Sequence, residues 1–422
     1  MHQRKDEAAP LIFLANFASP VAVGLHDENI LRAWSAQAPR ELWLMSPGDI
    51  LLTPAPASDE FRAYTAGLLG MDADAVTVVD VPPEAGIPMG EAVMRPALLE
   101  PLRSAVRHHP GYRLLPTALD EASVALAREL GVAVHPFPPD ADYSGALAAV
   151  DALNTKSEFR AVATQLGMRL PAGCTCGSSL MPRAADEFAR SFGRAVVKPD
   201  RSAGGHGLRF VDKDDPVLDV PAGTGQWVVE EYVPHKESIS AQCVCGPTGP
   251  RTVFTGRMTV SRGEFTGYRA PLTGISGAAL AQFEEWCLTF GRHLAGLGYL
   301  GPYSLDALLT EAGDICVTES NVRRTATTTP HAAISRLAST LRIHPSAWAL
   351  GSGRSAANLT LSEALERLSR ADIAFPTGRG DGVVLLTGHE SPAEPWRYVL
   401  FAADAGRLDG LQEGLTTALA LS

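Results

Sequence analysis

The order of apolar and polar positions over the first 146 residues predicts strands alternating with helices. Apolar runs at 11–15, 42–45, 76–81, 112–115 and 132–134 have the length of buried strands. Helical patterns lie between them, as at 120–130, where Asp120 stands at the capping position. Such alternation argues for an open, mostly parallel α/β sheet. No GxGxxG follows the first run; the chain continues NFASP instead. A dinucleotide role for this Rossmann-like region thereby loses its main support.

The pattern then breaks at PFPPDADYSG, residues 136–145, whose prolines and glycine mark a linker. Beyond it we expect a helix over 151–167, a strand–loop–strand in AVVKPDRSAGGHGLRF and a strand in WVVEEYV. Further strands are expected near 251–260 and 303–309, with a long helix over 278–297. The tail reads as helix 362–369, strands 382–386 and 396–401, and a helix from about residue 408. A chain of 422 residues exceeds one hydrophobic core. The divisions expected are a Rossmann-like domain at 1–146, a central domain at 147–345 with halves at 147–240 and 241–345, and an α/β region at 346–422.

Composition narrows the class. At 45% hydrophobic and 20% charged residues the chain is an ordinary folded protein. A net charge of −11 disfavours a broad nucleic-acid surface, which needs clustered cations. The first apolar run stops at Asn16, too short for a signal-peptide core or a membrane span. Six cysteines do not form a disulfide scaffold at this length, and a reducing cytoplasm is expected. Cys174/Cys176 and Cys243/Cys245 are CxC pairs, open either to a metal or to simple packing.

Three segments carry candidate chemistry. In GPYSLDALLTEAGDICVTESNVRRT, residues 301–325, a turn at 310–314 folds two strands into a hairpin. Glu319 and Asn321 share one face, Asp306 comes beside them, and Arg323 continues that face. Three oxygen-bearing side chains so placed suit Mg²⁺. In the second segment Lys198 precedes Ser202, Gly204, Gly205 and Gly207, a glycine loop whose N–H groups can approach phosphate oxygens. It lacks the GxxxxGK pattern of a P-loop. In the third, TGQWVVEEYVPHKES, backbone at the end of a strand can read an adenine edge, and a carboxylate one short loop on can accept from ribose hydroxyls; taken alone, the segment reads better as a solvated acidic strand end.

In this order the segments resemble the ATP-grasp superfamily, over about residues 150–330. The resemblance implies two α+β subdomains enclosing ATP, preceded by the Rossmann-like domain and followed by the small α/β region. It implies that Lys156 and Lys198 bind phosphates and that residues 202–207 form a flap over them. Glu230 with the backbone of Tyr232 and Val233 matches the adenine hinge, and Glu237 the ribose carboxylate. Asp306, Glu319 and Asn321 match metal ligands, Asp306 thirteen before Glu319 (319 − 306), and Arg323 matches an arginine facing the transferred phosphoryl group. His206 departs from the small residues common in the flap, as a phosphate donor or as an incidental loop residue. The whole chain is most similar to peptide ligases of the pheganomycin type, partly through TESNVRRTATTTPH.

The implied activity is an ATP- and Mg²⁺-dependent carboxylate–amine ligase, with two metal ions and Mn²⁺ as a substitute. It would pass through an acyl phosphate in peptide natural-product biosynthesis. A carboxylate donor (an amino acid or derivative) and an amine acceptor (an amino acid or peptide) are the partners, and a homodimer is left open. Arg257, Arg262, Tyr268 and Arg269 are placed near the substrates. Arg269 or Arg324 holds the donor carboxylate, stabilises the tetrahedral intermediate, or is a surface arginine. The rivals are activation for a thiol, hydroxyl or bicarbonate-derived acceptor, a nucleotide-binding module without turnover, and a nicotinamide oxidoreductase. The last is disfavoured because the glycine loop joins two strands and opens no helix.

Overall fold

The computed structural model describes residues 9–214, 225–261, 263–388 and 394–421. Arg262 and the basic start of the chain lie outside the described residues. The chain forms two compact units, one of Met1–Pro20, Gly24–Tyr143 and Ala326–Ser422, the other of Val21–Val23 and Ser144–Thr325.

The first unit opens with β1 (Leu11–Leu14), β2 (Ile50–Thr53), β3 (Thr77–Asp80), β4 (Arg113–Pro116) and β5 (Ala133–Val134). They form a parallel sheet in the order β3-β2-β1-β4-β5, the open α/β sheet expected. Ile12, Leu14, Leu51 and Leu114 fill its core. Asp120 caps the helix Glu121–Leu130 through a capping box with Ser123. One expected strand is absent: residues 42–45 fall in the 3-10 helix Ala38–Leu44, which starts with Pro39 in its first turn. A run buried on all sides has no period to betray its type. The strand lies later, at β2, after a turn in which the Asp49 carboxylate accepts from the N–H of Ser46 and of Leu11, both at 2.7 Å.

Chain order reverses between β1 and β4, where open α/β sheets commonly seat ligands. Here the crevice is filled by Asn16. Its Oδ1 accepts from Thr117 N (2.8 Å) and Ala118 N (3.1 Å), and its Nδ2 donates to Ala118 O (2.8 Å) and Asp120 Oδ2 (3.1 Å). Ser19 Oγ adds a 2.7 Å bond to the same carboxylate oxygen.

The second unit begins with two helices, Ser144–Leu153 and Lys156–Gln165, where one helix over 151–167 was expected. The break is local chemistry. Thr155 caps the second helix by accepting from Glu158 N, and Asn154 turns its amide to Val150 O and Val322 N. Next come β6 (Gly173–Gly177), β7 (Arg194–Pro199), β8 (Arg209–Asp212) and β9 (Gln226–Glu231), an antiparallel sheet in the order β6-β9-β7-β8. Alternation sends Ala195, Val197, Trp227 and Val229 toward the helix Met181–Phe192, with Cys174 and Cys176 packed beside them. Lys198 and Glu230 thereby take the other face. A second antiparallel sheet is built from β10 (His235–Gly246), β11 (Gly249–Ser261), β12 (Glu264–Ala270), β13 (Gly301–Thr310) and β14 (Ile315–Asn321), in the order β14-β13-β10-β11-β12. Its helix, Gly277–Gly296, covers one face: Tyr303 donates to Cys287 O at 3.0 Å, and Cys245 approaches Gly291 O.

The tail adds β15 (Ala347–Gly353), β16 (Gly382–Leu385) and β17 (Trp396–Ala402) to the first unit, in the antiparallel order β15-β17-β16. The helices Leu361–Arg370 and Ala405–Leu419 match expectation, whereas β15 and the helix Thr328–Leu341 went unread in the sequence. Leu385 N donates to the buried Tyr64 hydroxyl at 3.2 Å, tying this tail to the first part of its unit.

Candidate active site

Register on the face of the second unit's larger sheet opposite the helix Gly277–Gly296 sets out a polar grid. Ser240, Asp306 and Glu319 are direct neighbours across β10, β13 and β14, and Gln242, Ser304 and Asn321 form the next row. A β-bulge after Asp306 sets the Asp306–Glu319 pairing. Ser240 Oγ donates to Asp306 Oδ1 (2.7 Å) and Asn321 Nδ2 to Asp306 Oδ2 (3.2 Å). Gln242 Nε2 donates to Ser240 Oγ (3.2 Å) and receives Thr325 Oγ1 on its oxygen (2.8 Å). The expected clustering of Asp306, Glu319 and Asn321 is thus present in the structure.

Charge is concentrated at this grid, with two carboxylates beside two cations. Burial, then the neighbouring Glu319 carboxylate, push Asp306 up to about 7. Lys156 Nζ stands 3.7 Å from Glu319 Oε1, and burial lowers the proton affinity of this lysine. Arg323 is buried as well; it donates to Asn321 Oδ1 at 2.6 Å and to Asn154 Oδ1. Two facing carboxylates of this kind call for a cation between them, and their oxygen donors suit Mg²⁺. Asn321 fits less directly. Its amide presents nitrogen to Asp306 and oxygen to Arg323, so it would have to turn over to offer oxygen to an ion beside Asp306.

The glycine loop lies next to these groups. Lys156 Nζ donates to Ser202 O and Ser202 Oγ, both at 3.1 Å. Gly204, Gly205 and Gly207 have φ of 65°, 82° and 76°. At Gly205 a Cβ would come within 1.9 Å of Gly263 O, and Phe265 N donates to Gly204 O at 3.2 Å, so the loop rests backbone to backbone on the β11–β12 turn. His206 is exposed.

The third segment is more heavily engaged than its sequence suggested. Glu230 is buried between Lys198 Nζ and Arg160 Nη1, each in an ion pair with it, so its carboxylate is not free for a base edge. Tyr232 N donates to Arg194 O at 3.0 Å and Val233 O lies 2.8 Å from His235 Nδ1, so the Tyr232 carbonyl and the Val233 N–H are the candidate hinge groups. Glu237 pairs with Arg257 Nε at 2.6 Å. The Arg194 guanidinium stacks 4.6 Å from the Phe210 ring and 5.1 Å from Tyr232. Arg269 stands opposite Arg257, and Arg324 is buried, so Arg324 is not a surface arginine. Sequence reasoning passed over Asn154, Arg160, Ser240 and Gln242. Only the spelling Thr155-Lys-Ser-Glu158, a helix start, hinted at the first.

Among the described residues no three His, Cys, Asp or Glu side chains group to hold a metal, and all four CxC thiols belong to strands packed under helices. None of the described helices is long and apolar enough to cross a membrane.

A family profile described as a pre ATP-grasp domain matches residues 38–132. Comparison of the sequence with curated proteins gives no match. Among solved structures, N5-carboxyaminoimidazole ribonucleotide synthetase from Thermus thermophilus aligns with TM-score 0.57 and 16% identity over 92% of this chain and 97% of its own. The Aspergillus clavatus carboxyaminoimidazole ribonucleotide synthase complexed with ATP aligns with TM-score 0.58 and 12% identity over 98% of both chains. Biotin carboxylase from Campylobacter jejuni aligns with TM-score 0.60 and 13% identity over 98% of this chain and 92% of its own. The architecture is the ATP-grasp fold, with a pre-ATP-grasp parallel sheet before it and a small α/β region after it.

Proposed function

We propose that this chain is an ATP-dependent ligase that activates a substrate carboxylate and couples it to an amine. The observation that carries the reading is the grid at Asp306 and Glu319, flanked by Lys156 and Arg323 and reached by the glycine loop. Synthetases and carboxylases of the same fold support it, one of them complexed with ATP and another with MgADP. We place the metal on Asp306, Glu319 and a turned-over Asn321, with two Mg²⁺ ions, or Mn²⁺ in their stead, supplying charge neutralisation.

Lys156, Lys198, Ser202, Gly204, Gly205 and Gly207 would hold the phosphates. The backbone of Tyr232 and Val233 would face adenine, with Glu237 on the ribose once released from Arg257. Glu230 serves this site through its ion pairs. In the proposed reaction a carboxylate oxygen attacks the γ-phosphorus of ATP, giving an acyl phosphate and ADP; the amine then attacks the acyl carbon and phosphate leaves. Such chemistry needs alignment and charge neutralisation and no covalent nucleophile. Arg323 offsets charge on the transferred group, and Arg269 and Arg324 are candidates for holding the donor carboxylate. The glycine loop, seated on its turn, would exclude water from the acyl phosphate.

At the finer level we read a peptide ligase of the pheganomycin type, in a cytoplasmic biosynthetic setting and with a homodimer as the assembly to test. We keep the domain division 1–146, 147–345 and 346–422 as part of that reading. A second reading is activation of bicarbonate, which one similar structure contains as its bound anion. ADP release against a matrix of amino-acid and peptide donors and acceptors, and against bicarbonate, with mass analysis of products, separates the two. An amide product is expected. A carboxylated product would replace the first reading with the second, and ATP binding without ADP formation would remove both.

A further inference from the structure

Arg160 carries no role in the site as described so far, yet it is part of a buried three-charge cluster. The Glu230 carboxylate is 2% exposed and divides its two oxygens, Oε1 to Arg160 Nη1 and Oε2 to Lys198 Nζ. Arg160 is fixed from its other side by a 3.1 Å bond from Nη2 to Pro171 O. The space for this clamp depends on Gly173: a Cβ there would meet Arg160 Nη2 at 2.9 Å and Glu230 Cγ at 2.9 Å. Three elements, the helix Lys156–Gln165, β6 and β9, are thus built around one guanidinium–carboxylate contact.

We propose that Arg160 is a positioning residue for nucleotide binding, holding one oxygen of Glu230 so that Lys198 keeps charge for an anionic ligand. The proposal rests on the reading of Lys198 as a phosphate-binding cation. Two cations and one anion leave the cluster one positive charge in excess. Without Arg160, Glu230 and Lys198 form a closed neutral pair, and a phosphate approaching Lys198 must compete with a buried carboxylate. The fork geometry and constant charge of arginine suit the holder, whereas the three rotatable donors of lysine suit the partner that also serves a ligand.

The test is calorimetric binding of MgADP to the full chain, with thermal melting alongside. Arg160→Ala is expected to weaken MgADP roughly ten- to a hundredfold, the scale on which an outer partner of a binding group is lost. Arg160→Lys should recover most of that. The deciding variant is the double change Arg160→Ala with Glu230→Gln, which removes the competing charge. It is expected to bind MgADP within about threefold of the wild type even if it melts lower. Wild-type affinity in folded Arg160→Ala, or a double variant as weak as the single one, overturns the proposal. If the wild type itself does not bind MgADP, the fault lies with the nucleotide reading.

Discussion

Two buried aspartates, one in each unit, show how the same side chain serves different ends. Asp120 ends a loop of the parallel sheet and is surrounded by neutral donors: Ser19 Oγ, Asn16 Nδ2 and the Ser123 N–H all point at it. Burial raises its proton affinity and each of those bonds lowers it. Asp306 also accepts two side-chain bonds, yet a second carboxylate, Glu319, stands directly across the strand pair. Hydrogen bonds to neutral donors complete the first site. The second sets two carboxylates side by side with Lys156 and Arg323 as the cations beside them. On the function proposed above, the neutral network serves stability and the charged one serves a ligand.

The largest expected effect tests that division from the charged side. Glu319→Ala or Asn321→Ala should lower ADP release by roughly a thousandfold, since a preorganised charge contact at the reacting phosphoryl is lost. Glu319→Ala should melt within a few degrees of the wild type, about 1 kcal/mol or less, whereas Asn321→Ala, which loses buried bonds to Asp306 and Arg323, should cost about 1–3 kcal/mol. Near-normal turnover in both variants would sink the metal assignment. The complementary change is Asp120→Ala, which strips a helix cap and two further buried bonds. It should cost about 2–4 kcal/mol in denaturant unfolding while turnover per folded molecule is unchanged. Lost turnover in a stably folded Asp120→Ala protein would mean that the filled crevice of the parallel sheet takes part in the reaction.

Next in size is Lys198→Ala. Apparent affinity for ATP should fall by about ten- to a hundredfold, with the acceptor KM nearly constant. A loss confined to the acceptor would move Lys198 out of the nucleotide site. Because Glu230 is paired to Lys198 and Arg160 alike, this variant should also melt lower than Glu319→Ala, whose side chain is 25% exposed.

How much of this was legible in the sequence follows the same contrast. The hairpin at Asp306 and Glu319 could be read because a two-residue period puts Glu319 and Asn321 on one face whatever surrounds them. The parallel sheet could be read from its apolar runs, except at residues 42–45, where Leu42, Trp43 and Met45 are buried side by side and show no period. The bond partners were not legible. Glu230 reads as a solvated strand end, but it lies buried under Arg160, seventy residues away in sequence; Ser238, Ser240 and Gln242 do alternate with Ile239, Ala241 and Cys243 along β10, but that period does not say which strand stands beside them. The Cys243/Cys245 pair looked like possible chemistry because spacing alone cannot say which face a strand turns to a helix.

Ser240 gives the smallest and sharpest of these tests, because it belongs to the grid without being a candidate ligand. Its hydroxyl accepts from the Gln242 amide and donates to Asp306 Oδ1, fixing the rotation of that carboxylate. Removing such an outer partner commonly weakens a metal site by ten- to a hundredfold. Here Asn321 still holds the other oxygen, so the lower end is expected: Ser240→Ala should weaken Mn²⁺ binding about tenfold, read by electron paramagnetic resonance, with Ser240→Thr recovering it. Thr325, Gln242 and Ser240 form a line of donors leading into Asp306, much as Ser19 and Asn16 do into Asp120. If Ser240→Ala lowers the melting temperature and leaves Mn²⁺ affinity unchanged, Asp306 behaves as Asp120 does. The difference between the two aspartates would then reduce to Glu319 alone.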